Sequence, residues 1–266
     1  MHPYGQISII VGLVLIVVLL SFLVALPSRD VILPIINWQI VFSGPWFLGI
    51  VLAAAIYLGI DALVHSYPPT YHAGLRYTLS YWPLPGLLML AAVPTLHSLQ
   101  SPLLWIGGTA LLAFLLAAIL IAQYHALFPG TRLYRVSRWL LALLSYLLAF
   151  ALLHSIRTSG APVLLRVMAV GAVSSALALE VLRQKSEIRR TWGHALIVGL
   201  LVSQMAWVFT YWPLRNLMAS FALFWPFYLL TGVLHQYLGG QLTRGVVAEY
   251  LLLGLFGFAA LWYATL

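Results

Sequence analysis

The stretch ISIIVGLVLIVVLLSFLVAL, residues 7–26, contains no charged side chain. A helix of this length spans about 30 Å, which is the thickness of the hydrocarbon core of a bilayer. The residues before it contain no Lys or Arg, and the run is longer than the apolar region of a secretory signal peptide. We therefore predict a retained transmembrane helix.

Eight further apolar stretches of similar length follow along the chain. They are residues 45–65, 79–99, 103–125, 139–154, 162–182, 194–212, 217–237 and 246–265. The stretch at 139–154 is the shortest, which leaves an earlier start open. Together they predict an all-α fold, a polytopic transmembrane helix bundle of about nine spans (eight to nine) with short loops. One transmembrane domain would then cover residues 1–266.

The longest segment between predicted spans lies near residues 27–44. It contains the partly alternating run Ile35-Ile36-Asn37-Trp38-Gln39-Ile40, and such alternation is typical of strands. Trp38 and Trp46 suit the aromatic belt at a membrane surface. We predict an extended or hairpin segment on the external face.

The composition excludes several classes of protein. Hydrophobic residues make up 63% of the chain and charged residues 7%, whereas a soluble domain carries about 25% charged residues. The absence of cysteine from the sequence excludes disulfides, thiolate metal sites and a cysteine nucleophile. The net charge is +8, but the basic residues are scattered over loops, so no nucleic-acid partner is predicted. The predicted partners are the lipid bilayer and other membrane protein subunits.

Basic residues favour the cytoplasmic side of a membrane protein. With nine spans, the side that holds the N-terminus carries Arg76, Arg132, Arg135, Arg138, Arg183, Lys185, Arg189, Arg190 and Arg244. The other side carries Arg29, Arg157 and Arg215. We predict a multi-pass protein of the cell (inner) membrane with a cytoplasmic N-terminus and an external C-terminus.

Polar residues lie at the cytoplasmic ends of several predicted spans. Placing an ionisable group inside a membrane costs free energy, so these residues are candidates for a functional site. This cytoplasmic-leaflet cluster consists of Asp61, His65, Gln123, His125, Glu180, His235 and Glu249. Asp61 and His65 share one helix face, so the carboxylate can orient the imidazole and the two are candidate metal ligands. The alternative is that Asp61 pairs with a neighbouring arginine or reaches the headgroup region.

Two other members of the cluster have structural explanations. Glu180 and Arg183 are three residues apart on one helix, a spacing that predicts an ion pair. Glu249 is predicted in the first turn of its helix, where a carboxylate interacts favourably with the helix dipole.

A smaller external-leaflet cluster consists of His97, His154 and Arg166, with Arg157 and Arg215 nearby. Arg166 lies roughly one turn inside its predicted span. Either it snorkels outward, or it binds an anionic headgroup or a carboxylate. The histidines near span ends are candidate ligands of haem or of chlorophyll-type magnesium, although histidine is also common at interfaces. The sequence leaves the cofactor unknown.

No G-x-S-x-G, H-E-x-x-H or Walker A motif occurs, and their absence disfavours an enzyme. The first hypothesis is a non-catalytic subunit, or a ligand- or cofactor-binding component, of a membrane assembly. The second is a small-molecule or lipid transporter, suggested by the prolines in predicted spans, Pro83, Pro85, Pro94 and Pro226. The third is a membrane-embedded enzyme acting at the cytoplasmic leaflet through Asp61 and His65.

Several short motifs carry a resemblance to a known family. They are Ala25-Leu26-Pro27-Ser28-Arg29, Gly59-Ile60-Asp61-Ala62-Leu63, Leu84-Pro85-Gly86-Leu87, and Leu242-Thr243-Arg244 followed by Glu249-Tyr250. In their order, the chain resembles an uncharacterised family of multi-spanning bacterial membrane proteins of unknown function. The resemblance covers most of the chain and implies the helix bundle, but it implies no catalytic residue.

Overall fold

The computed structural model of the chain describes residues 3–23, 29–33, 38–42, 44–65, 75–128, 131–183, 188–212 and 216–263. Within these ranges it contains ten α-helices and one pair of strands. The helices are α1 (Pro3–Leu23), α2 (Gly44–His65), α3 (Leu75–Leu79), α4 (Pro83–Ser98), α5 (Pro102–His125), α6 (Arg132–Thr158), α7 (Val163–Leu182), α8 (Ile188–Thr210), α9 (Asn216–Leu238) and α10 (Arg244–Tyr263).

Eight of the described helices are long and apolar enough to cross a membrane: α1, α2, α5, α6, α7, α8, α9 and α10. This finding confirms the all-α polytopic bundle of eight to nine spans. The chain is a multi-pass membrane protein.

Two predicted spans differ in detail from the structure. The span predicted at 139–154 is α6, which has 27 residues and begins at Arg132. Its early arginines prolong the helix beyond the apolar run, because their aliphatic stems tolerate the interface while their charged ends stay in water. The span predicted at 79–99 is the shorter helix α4, which has 16 residues and begins at Pro83, after α3 has ended at Leu79.

The segment predicted to be extended forms a β-hairpin. Strand β1 (Arg29–Leu33) pairs antiparallel with β2 (Trp38–Phe42). The register sets Arg29 opposite Phe42 and Leu33 opposite Trp38. The alternation in the sequence therefore indicated the right local structure.

The chain divides into two compact units, Met1–Ser137 and Arg138–Leu266. The first unit contains the hairpin and α1 to α5. The second contains most of α6 and all of α7 to α10. The single transmembrane domain over residues 1–266 stays a prediction.

In the first unit, α1 and α5 run antiparallel along their whole length. The hydroxyl oxygen of Tyr4, in the first turn of α1, lies 3.2 Å from Nε2 of His125, the last residue of α5. At the opposite end of this helix pair, the ring centroids of Phe22 and Trp105 are 4.4 Å apart. The two ends of the unit can therefore be named by these contacts, as the Tyr4 end and the Phe22 end.

The short helix α4 packs against α2 and α5 and connects these two ends. Just before α4 begins, the carbonyl oxygen of Tyr81 accepts a hydrogen bond from Gln123, near the end of α5. Near its C-terminus, His97 lies 3.2 Å from Oγ of Ser21, near the end of α1. With the turn that precedes it, α4 thus reaches from the Tyr4 end to the Phe22 end.

In the second unit, α7 and α8 pack unusually closely because small residues face each other. A Cβ atom added at Gly199 would overlap the carbonyl oxygen of Gly171 and Oγ of Ser175. Such small-residue contacts drive helix association in lipid, where apolar burial alone gives no driving force between helices.

An aromatic and polar seam joins α6 to α9. The hydroxyl of Tyr146 lies 3.2 Å from Oγ1 of Thr231, and the ring of Phe150 meets the ring of Phe224 edge to face at 5.7 Å. The two helices are antiparallel, and their side chains rather than their backbones make the contact.

Candidate functional site

The break between α3 and α4 is buried inside the first unit, although helix ends normally need water or a capping side chain. Pro83 and Pro85 explain how α4 can begin there. The first N–H groups of a helix have no carbonyl partner within that helix. Proline has no N–H, so Pro83 and Pro85 remove two of these unpaired donors. The N–H of Gly86 donates to the carbonyl oxygen of Trp82 at 2.9 Å, and Leu84 is fully buried.

The side chain of Gln123, on the neighbouring helix α5, supplies a hydrogen bond that is missing at this break. In a continuous helix, the N–H of residue 85 would bond to the carbonyl oxygen of Tyr81, but Pro85 cannot supply it. The Nε2 group of Gln123 donates to that carbonyl instead, at 2.8 Å. The side chain of Trp82 also anchors the break, since its Nε1–H donates to the carbonyl oxygen of Ala53 at 2.7 Å.

Two buried acceptors at the break have no partner. The Oε1 atom of Gln123 and Oγ1 of Thr78 make no hydrogen bond within the described part of the chain, and these residues are 2% and 0% exposed. The N–H of Tyr81 donates to the carbonyl of Thr78 at 3.0 Å, so a chain of hydrogen bonds links the three residues. Leaving a buried polar group unpaired costs about 1–3 kcal/mol, which makes this a candidate binding site.

We call this set of residues, Thr78, Ser80, Tyr81 and Gln123, the helix-break site. Ser80 is fully buried, and its hydroxyl donates to the carbonyl oxygen of Tyr77 at 2.6 Å. The hydroxyls of Tyr77 and Tyr81 lie 3.0 Å apart. The site can accept hydrogen bonds from a ligand that carries N–H or O–H groups, or from water.

Thr78 and Tyr81 were absent from the residues predicted from the sequence. Thr78 lies just outside the apolar run at 79–99, and no charged residue or motif within that run marks Tyr81. A signal was present nonetheless, because two prolines one residue apart inside an apolar run mark a helix start within the membrane.

The structure places part of the predicted cytoplasmic-leaflet cluster at the Tyr4 end. Gln123 and His125 lie there on α5. Asp61 is half-buried on α2, and it lies toward the same end because Gly59 packs against Ile10 of α1. The side chain of His65 is outside the described residues, so the proposed Asp61–His65 metal pair stays a prediction. The described residues contain no group of three acidic or histidine side chains that could hold a metal.

The other members of that cluster belong to the second unit. Glu180 is fully buried and pairs with Arg183, whose Nε–H donates to Oε2 at 3.0 Å, so the predicted ion pair is confirmed. His235 is half-buried on α9. Glu249 is not in a first helical turn, and this prediction was wrong. The helix α10 begins earlier, at Arg244, and the hydroxyl of Thr243 accepts a hydrogen bond from Val246 N–H at 3.4 Å.

The external-leaflet histidines take part in helix packing. Both ring nitrogens of His97 are engaged, Nδ1 at 2.9 Å from the carbonyl oxygen of Val93 and Nε2 at 3.2 Å from Oγ of Ser21. In the second unit, Nδ1 of His154 lies 2.9 Å from Oγ of Ser220. Ligation of haem or magnesium by His97 would require one of its hydrogen bonds to break.

Arg166 lies beside Arg157 at the connection between α6 and α7. One of its Nη1–H groups donates to the carbonyl oxygen of Arg157 at 3.4 Å. Its Nε atom is buried and has no partner among the described residues. The connection turns sharply at Gly160, whose φ of +68° is a left-handed conformation that glycine adopts without strain.

An open groove of about 270 Å³ lies on the surface of α7 and α8. Its lining residues are Val167, Ser203, Gln204 and Trp207, and we call it the α7–α8 groove. Gln204 is exposed and has no hydrogen-bond partner in the described ranges. An unpaired amide within a membrane-spanning helix is costly, so the groove is a candidate contact surface.

Comparison with known proteins identifies a family that the chain matches. A family model described as "Protein of unknown function (DUF5656)" matches residues 27–264. No curated protein and no solved structure matches the chain. The match covers most of the chain and confirms the resemblance to an uncharacterised family. The chain therefore belongs to the family of proteins of unknown function DUF5656.

Proposed function

We propose that this protein is a non-catalytic subunit of a membrane assembly, and that it contacts a second copy of itself through the α7–α8 groove. The exposed amide of Gln204 carries this proposal. The residue lies six positions before the end of α8, so it is roughly 9 Å inside the helix and within the hydrocarbon layer. In hydrocarbon an unpaired polar group costs several kcal/mol, which a partner in the membrane would offset.

A second copy of the chain is the partner that fits this chemistry. A primary amide carries both donors and an acceptor, so two copies of Gln204 can satisfy each other across a two-fold axis. The adjacent Ser203 is small enough to allow close approach of helices. An isologous contact through α8 would therefore bury the amide without requiring a different protein.

The sequence contains no cysteine, so a single introduced cysteine reports contacts without background. We expect Gln204→Cys to form a disulfide-linked dimer on oxidation in native membranes. Leu252→Cys, at an exposed position of α10, is the control and should stay monomeric. Gln204→Leu should weaken self-association roughly three- to twentyfold. Absence of a dimer with Gln204→Cys, or equal dimer from both variants, would contradict the proposal.

A second function, transport of a small polar solute, is favoured by the helix-break site. Transporters bind substrates where helices are discontinuous, because the freed backbone groups and polar side chains can contact the solute. Here the unpaired acceptors of Thr78 and Gln123 lie beside such a break. The site is near the end of α5 rather than at its middle, so transport would require access from the far side of the membrane.

Accessibility of Thr78 distinguishes transport from a closed structural break. With Thr78→Cys in oriented vesicles, a membrane-impermeant maleimide should label the cysteine from both sides if the protein alternates its access. Ser98→Cys, an exposed position at the end of α4, should be labelled from one side only. Protection of Thr78→Cys on both sides would rule out the transport function.

We also propose a cytoplasmic N-terminus, an external C-terminus and location in the cell membrane. The distribution of Lys and Arg supports this orientation when nine spans are counted, because most of them then lie on the N-terminal side. Nine spans result when α4 crosses the membrane in addition to the eight long helices.

A further inference from the structure

Two arginines of the second unit lie close together without a counter-ion. Arg157 is in the last turn of α6 and Arg166 is the fourth residue of α7. The four-residue connection between these helices, which turns at Gly160, brings Arg166 to the carbonyl oxygen of Arg157. The positive charges of the two guanidinium groups repel each other.

Neither arginine has a carboxylate partner among the described residues. This contrasts with Arg183 in the same unit, which is paired with Glu180. Charged groups near a membrane are normally paired or solvated, because an uncompensated charge in a low-dielectric environment is costly. An anion from outside the described chain would stabilise a pair of like charges in this position.

The hydrogen-bond donors close to these two arginines have few acceptors. Arg166 makes one long hydrogen bond, at 3.4 Å, and its buried Nε–H has no acceptor. The first turn of α7 adds backbone N–H groups, since no side chain caps it at Pro162. These groups carry partial positive charge. Together they form a donor-rich, positively charged surface at the end of two membrane-spanning helices.

We propose that Arg157 and Arg166 bind one phosphate group at the α6–α7 connection, either from an anionic phospholipid or from free phosphate. A phosphate presents enough oxygen atoms to accept hydrogen bonds from two guanidinium forks, whereas a carboxylate presents two. It would neutralise the repulsion between the arginines. The site goes beyond the proposed self-association, since it uses neither Gln204 nor the α7–α8 groove.

The test uses the full-length protein in phosphatidylcholine nanodiscs with a small fraction of phosphatidylglycerol. Native mass spectrometry counts the phosphatidylglycerol molecules that the released protein retains. We expect retention to fall about tenfold in Arg166→Gln and in Arg157→Gln, because each loses charge-assisted hydrogen bonds. Arg166→Lys should retain part of the binding. Arg244→Gln, at an exposed arginine of α10, is the matched control and should bind like the original chain.

Inorganic phosphate added in millimolar amounts identifies the source of the anion. If phosphate displaces phosphatidylglycerol from the original protein, the site takes free phosphate, and if the lipid persists, the site is specific for a lipid headgroup. Both results support the phosphate site. Equal retention of phosphatidylglycerol by Arg166→Gln, Arg157→Gln and Arg244→Gln would overturn it, and would leave Arg166 as a cap on the end of α6 only.

Discussion

The hydroxyl oxygen of Tyr4 lies 3.2 Å from Nε2 of His125, although 121 residues separate them. The contact joins the first turn of α1 to the last residue of α5, so both residues lie at one end of the first unit and on one side of the membrane. An even number of crossings must then separate them. Since α1, α2 and α5 supply three, we infer that α4 supplies the fourth, despite its 16 residues.

Cysteine labelling tests this crossing directly. We expect Gly5→Cys and Leu133→Cys, both at exposed positions, to react with an impermeant maleimide from the same side of the membrane. Gln100→Cys, between α4 and α5, should react from the opposite side. If α4 did not cross, Gly5→Cys would instead share a side with Gln100→Cys.

The contact between α7 and α8 should not tolerate a methyl group at Gly199. A Cβ atom there would overlap Gly171 and Ser175, so we expect Gly199→Ala to lower the free energy of unfolding by about 1–3 kcal/mol. Gly107→Ala is the control, because no atom lies within 4 Å of its added Cβ. That change should be neutral or slightly stabilising. Thermal unfolding in detergent measures both, and equal melting temperatures would contradict the packing described.

Gln123 and Pro85 should show coupled effects on stability. Gln123→Leu removes the donor to the buried carbonyl of Tyr81, at a cost of about 1–3 kcal/mol. In a Pro85→Ala background, the new N–H of residue 85 can bond to that carbonyl, so the same change should cost less. A double-mutant cycle measures the coupling. Additive costs would show that Gln123 does not replace the missing proline N–H. Gln100→Leu, at an exposed position, is the control.

The buried pair of Glu180 and Arg183 should be more sensitive to loss of one partner than to loss of both. Glu180→Leu leaves a charge that is almost fully buried, which typically costs about 3–5 kcal/mol. The double variant Glu180→Leu with Arg183→Leu removes both charges and should recover most of the stability. Denaturant unfolding in mild detergent compares them. If the double variant is as unstable as the single one, other contacts of Arg183 dominate.

Length and hydropathy predicted the membrane-spanning helices well. The predicted stretch 162–182 became α7, Val163–Leu182, and 217–237 became α9, Asn216–Leu238. These bounds follow from local composition, because a helix in lipid must satisfy its own backbone along its whole apolar length. Alternation near 27–44 likewise predicted the hairpin.

The candidate sites were harder to predict because they depend on pairing between helices. Glu180 and Arg183 are three residues apart on one helix, so their ion pair could be predicted from the sequence. The bond from Gln123 to Tyr81 joins residues 42 positions apart, and no local pattern specifies it. Thr78 lies in the five-residue helix α3. This helix is too short for hydrophobic periodicity to identify its buried face, so the burial of Thr78 could not be predicted.

The antiparallel pairing of α1 with α5 has a consequence for biosynthesis. In the first unit, α1 is synthesised before its partner α5. At ribosomal rates the intervening residues take on the order of ten seconds to be synthesised. Until then α1 lacks its main partner and resides largely among lipids. An unbroken apolar sequence without charge lets it remain stably inserted during that interval. The composition of residues 7–26 thus serves the nascent chain as well as the finished bundle.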